Sequence, residues 1–96
     1  MSEPLHAEDF DAVGSQPLLL TGAHAQLPVE ITEVRRIKSP SLREQPFSVV
    51  FRHRDARQHS PQGIYRMDLP GRGAIDLFIV PIGPDAQGMR YEAVFN

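Results

Sequence analysis

The chain contains no cysteine among its 96 residues. That one absence excludes disulfides, cysteine-ligated zinc and thiol nucleophiles together. Small secreted domains lean on disulfides, so the expected location is the cytoplasm. Long apolar runs are missing too. The longest, LFIVPI at 77–82, is far too short to cross a bilayer, and no membrane partner is expected. The start, MSEPLHAEDF, has neither the basic nor the apolar region of a signal peptide. Lysine is nearly absent: Lys38 stands alone beside nine arginines.

What remains fits one soluble domain over residues 1–96, with residues 1–6 expected to fray. A chain of this size can build one small core and little more. Its charge is unevenly spread. Residues 1–34 carry six acids and no Lys or Arg, whereas residues 35–72 carry nine basic residues and three acids. Folding either interleaves these segments or leaves a dipolar surface suited to docking.

The apolar pattern is that of strands. HAEDFDAVG at 6–14 is the exception, a short helix with acids in its first turns, Phe10 and Val13 on one side and Gly14 to end it. It is placed to cap an end of a sheet or barrel. LLLT at 18–21 is a first strand. Leu27 to Ile37 is a second, whose alternation through Leu27, Val29 and Ile31 breaks at Glu33, where a bulge or bend would turn Val34 inward. KSPSLREQP at 38–46 reads as a loop. PFSVVFRHR is a third strand with Phe47, Val49 and Phe51 on its core face. GIYRMDL, AIDLFIVPI and MRYEAVF form an antiparallel meander, joined by turns at PGRG (70–73) and GPDAQG (83–88). The strand at 74–82 is apolar on both faces, with Ile75, Leu77 and Ile79 on one and Phe78, Val80 and Ile82 on the other. Such a strand is central, covered by the helix, or part of a subunit contact. Pro81 cannot donate to a ladder, which places an edge or bulge there. The fold predicted is mainly β: a small antiparallel barrel or sandwich of six to seven strands with one short N-terminal helix.

The chemical motifs do not assemble into a catalyst. HRD at 53–55 matches the core of a kinase catalytic loop, but the continuation and partner motifs of that signature are missing. His53, Asp55 and His59 could hold a metal, but they lack ligand spacing and sit among arginines that repel a cation. No serine lies in a nucleophile turn. Asp68 and Asp76 are better matched to arginines than to acid–base work. GRG at 71–73 is too short for a phosphate loop. The stretch FRHRDARQHSPQG at 51–63 reads as a connection between strands. Arg52, Arg54, Arg57, Arg66 and Arg72 could instead converge on a nucleic-acid surface with Phe51 and Tyr65 for stacking. Against that, the pI of about 6.0 is low for such a role.

From Pro46 onward the chain resembles a bacterial family of similar length with no assigned function. That family's pattern reads PFSLLF, PQGxYxLxHP, a Gly-containing turn, LxLFLVPIGPD and a closing RYEAVFN. The matching residues here are PFSVVF, PQGIYRMDLP, IDLFIVPIGPD and RYEAVFN. The first half of the chain matches more loosely. Genes of the resembled family often lie beside ones for phage-tail-collar-like proteins, which implies a role in a tail-like assembly. No catalytic residue is assigned there, so none carries over.

The expectation is therefore a non-enzymatic interaction or assembly module without a cofactor. Its partner would be another protein or a second copy, met through the strand at 74–82, where Ile79 is the residue singled out. The alternative is a small nucleic-acid-binding barrel using the arginine-rich stretch 52–72.

Overall fold

Two long strands, each bent once, organise the molecule. The computed structural model describes residues 5–37, 46–56 and 58–95. Helix α1 spans Ala7–Asp11, and the strands are β1 (Leu18–Thr21), β2 (Gln26–Arg36), β3 (Phe47–Arg54), β4 (Gly63–Leu69), β5 (Gly73–Asp85) and β6 (Gly88–Phe95). They close an antiparallel barrel in the order β1-β2-β3-β6-β5-β4. The sandwich alternative therefore falls away. Residues 26–29 of β2 pair with β1, and the rest of β2 pairs with β3 across a register shift between Ile31 and Glu33. Residues 73–79 of β5 pair with β4, and the rest pairs with β6 across a second shift between Pro81 and Gly83. Bulges let one strand serve two sheets and turn the corner between them. Both bends fall where the sequence broke its pattern, at Glu33 and at Pro81. Gly83 has φ +96, a backbone state that suits glycine.

The bends divide the barrel into two walls. Wall one is β1 and β4 with the first parts of β2 and β5. Wall two is β3 and β6 with the second parts. The walls enclose one core in which Leu20, Phe51, Met67, Leu77, Ile79 and Tyr91 are buried. Along the seam between β1 and β4 only Thr21 and Arg66 stand in register. The β5–β6 hairpin is tighter than expected. The strands run on to Asp85 and from Gly88, and Asp85 accepts the N–H groups of Gln87 (2.8 Å) and Gly88 (3.0 Å). Gly88 lies so close to β3 that a Cβ there would overlap the His53 backbone.

Each end of the barrel is plugged. At one end, α1 lays Phe10 against Phe47 and Phe95, with ring centroids 5.9 and 5.5 Å away. Five residues cannot hold a helix alone. Here burial of Phe10 and Val13 is joined by charge. Arg36 reaches Asp11 (2.6 Å) and Glu8 (3.5 Å), and Arg72 reaches Asp9 (2.8 Å). Leu5 and His6, assigned above to a frayed start, are placed. Leu5 packs on the core, and the His6 N–H donates to Asp9 (2.8 Å). At the other end the β3–β4 connection crosses the barrel mouth. Tyr91 accepts the Ser60 N–H (2.8 Å) and Tyr65 donates to the Pro61 carbonyl (2.7 Å), both from inside. The stretch FRHRDARQHSPQG is indeed a strand connection, entered at Asp55 with φ +66. The expected loop at 38–46 lies, apart from Pro46, outside the described residues.

Candidate functional site

The arginines singled out from the sequence do not converge. β3 and β4 follow one another in the chain but stand on opposite sides of the barrel, with two strands between them in either direction. Arg52 and Arg54 belong to wall two, Arg66 to wall one, and Arg72 to the turn beneath α1. Each of the four meets a carboxylate. Arg52 bridges Glu30 (2.9 Å) and Asp85 (3.0 Å), Arg54 joins Glu30 (2.8 Å), Arg66 joins Asp76 (3.1 Å), and Arg72 joins Asp9 (2.8 Å). Arg57 lies outside the described residues. Phe51 is fully buried and Tyr65 nearly so, which removes both as stacking platforms. The acidic and basic segments of the chain are thus interleaved by folding.

Wall two carries two clusters of ion pairs. Burial pushes the Glu30 carboxyl up, but hydrogen bonds and charge from Arg52 and Arg54 outweigh it and hold the group below its usual range. Asp85 is lowered chiefly by the Gln87 N–H, with Arg52 adding to it. Above Val50, Arg35 spans Glu33 (2.6 Å) and Glu92 (3.9 Å). Ser48 and Val50 point outward by alternation, yet both are buried beneath this layer. Beside the Glu30 cluster lies a groove of about 260 Å³ lined by Ser15, Pro17, Pro28, Val29, Glu30, Arg52 and Arg54.

Wall one is bare by comparison. Leu19 on β1 (45% exposed), Ile64 on β4 (61%) and Phe78 on β5 (52%) all point outward there. Ile64 and Phe78 are direct cross-strand partners. Val94 of β6 is 49% exposed as well. Next to Leu19, where β1 and β4 part, a groove of about 420 Å³ is lined by Pro17, Thr21, Arg66, Asp68 and Pro70 among others. Exposed apolar side chains gathered on one sheet face are the ordinary mark of an interaction surface. Ile79, expected at such a surface, is a correction. It is fully buried inside the barrel, because its face of β5 looks inward and the Phe78 face looks out. Both faces of this strand are apolar in the sequence, and the outward one carries Phe78. The signal was Asp76, which shares the Phe78 face and has to stay wet.

The chain belongs to the family described as Domain of unknown function (DUF6916). Its model matches residues 5–95, which span the whole barrel and its helix. No curated protein and no solved structure matches the chain. Among the described residues no three His, Asp or Glu side chains gather as metal ligands, and His53, Asp55 and His59 do not meet.

Proposed function

We propose that the chain is a non-enzymatic interaction or assembly module that docks through the outer face of wall one. The observation that carries this reading is the set Leu19, Ile64 and Phe78, exposed on one face of a barrel whose other face carries the ion pairs of Arg35, Arg52 and Arg54. Closure of the barrel limits strand addition, which favours a partner met face to face. The resemblance of the C-terminal half points to a phage-tail-like particle in the bacterial cytoplasm as the setting. The nucleic-acid alternative draws no support from arginines that are paired and dispersed.

An affinity comparison tests the reading. Wild-type protein and the Phe78→Asp variant are immobilised and exposed to lysate of the source cells, and retained proteins are identified by mass spectrometry. A protein held by the wild type and lost with Phe78→Asp supports docking through wall one. Equal retention by both overturns that location. A salt-labile nucleic-acid absorbance in both eluates would favour the alternative.

A further inference from the structure

We propose that the partner on wall one is a second copy of this chain, related by a two-fold axis that runs along the strands between β4 and β5. The inference rests on the reading of wall one as a docking face and names what docks there.

The register carries it. On the outer face Ile64 stands opposite Phe78 and, one step along, Arg66 stands opposite Asp76. All four side chains reach solvent. A two-fold axis lying in the interface, parallel to the strands and midway between β4 and β5, exchanges those strands between copies. It sets Ile64 against Phe78 of the second copy and Arg66 against Asp76 of the second copy, and each contact occurs twice. The face is therefore its own complement, apolar on apolar and cation on anion. An axis across the strands at the level of Arg66 would instead set Arg66 on Arg66 and Asp76 on Asp76, so charge selects the first arrangement.

The ionic groups are available for this role. Arg66 and Asp76 have side chains 68% and 54% exposed, and Arg66 engages Asp76 within the chain through Nε alone, at 3.1 Å. Among the described residues its terminal nitrogens remain for the carboxylate of the second copy, closing a ring of two arginines and two aspartates. Face-to-face sheets pack about 10 Å apart with strands near 30° to each other, which is reached by side chains the length of Phe and Arg. The groove beside Leu19 extends the contact on the β1 side of the central rows.

Sedimentation equilibrium of the full chain over a range of concentrations is the test. The wild type is expected to dimerise reversibly, and Phe78→Asp to weaken the dimer by at least about a hundredfold, because the residue acts twice in a symmetric contact. Arg66→Asp and Asp76→Arg are each expected to be monomeric alone and to form a one-to-one heterodimer when mixed, since each carboxylate of the first variant then faces a guanidinium of the second. Circular dichroism confirms that these surface variants stay folded. A wild type that remains monomeric up to about 1 mM overturns the proposal. So does a dimer indifferent to Phe78→Asp, or a mixture that associates no better than its components. If the wild type is monomeric but a foreign protein is lost with Phe78→Asp in the lysate comparison, self-association fails while wall one stands as the docking face.

Discussion

The two walls of this barrel share an alternation pattern but differ in what lies on top. Val50 on wall two and Phe78 on wall one both point outward, yet Val50 is 2% exposed and Phe78 52%. The difference lies in their neighbours. Val50 stands between Glu33 and Glu92 in the register, and Arg35 ties those carboxylates together above it. Long ionic side chains cover apolar surface with their stems while their charged ends stay wet. Phe78 has Ile64 beside it, which covers little and is itself uncovered. An outward apolar residue in a small barrel is thus hidden or shown by the length and charge of its cross-strand neighbours, and its own hydrophobicity does not decide.

Four changes would break or sharpen this contrast. The largest effect is expected from Gly88→Ala, where the added methyl meets the His53 backbone and forces β6 away from β3 beneath the ion pairs. A loss of about 3 kcal/mol in urea denaturation is expected. Arg52→Met keeps the stem of a side chain only 14% exposed but removes the guanidinium from Asp85 and half of the Glu30 pairing. About 2 kcal/mol should be lost in the same assay, less than for a fully buried pair. Acid should then act through wall two. Glu30, Glu33 and Asp85 are all held below the usual carboxylate range in the folded barrel. Their contribution is present above about pH 4, where the unfolded chain would also be ionised, and is lost as pH falls toward the depressed folded values. Urea midpoints measured from pH 7 to pH 3 should fall, and should fall less steeply for Arg52→Met. Smallest of all, Phe78→Ser should change monomer stability by no more than about 0.5 kcal/mol, since the ring is mostly in water already. A large loss there would mean that Phe78 supports the fold and would end its role as a surface residue.

Much of this was legible in the chain. The strands, the meander of β4 to β6 and the helix that caps the barrel follow from alternation and turn residues, although the helix ends at Asp11 and not, as expected, at Gly14. Both bends were legible as well, because Glu33 interrupts a period of two and Pro81 lacks the N–H a ladder needs. The dispersal of the arginines was not. Consecutive strands are usually neighbours, and β3 and β4 are not. Their separation is set by which strands close the barrel, a non-local choice that no local pattern records. The choice between Ile79 and Phe78 was closer to hand, since Asp76 on the Phe78 face marks the wet side. The burial of Ser48 and Val50 could not be read locally, for it depends on Arg35 and Glu92 arriving from two other strands.

The tyrosine ties across the barrel mouth have a consequence for variation. Tyr91 and Tyr65 hold the β3–β4 connection by the Ser60 N–H and the Pro61 carbonyl. Any residue but proline supplies the first group, and every residue supplies the second. The anchor is written into the core, and the side chains of the crossing segment are left unconstrained by it. The exposed Gln58 and His59, which follow the Ala56 packed on the core and precede the tied Ser60, can therefore change side chain while the barrel that carries them stays the same.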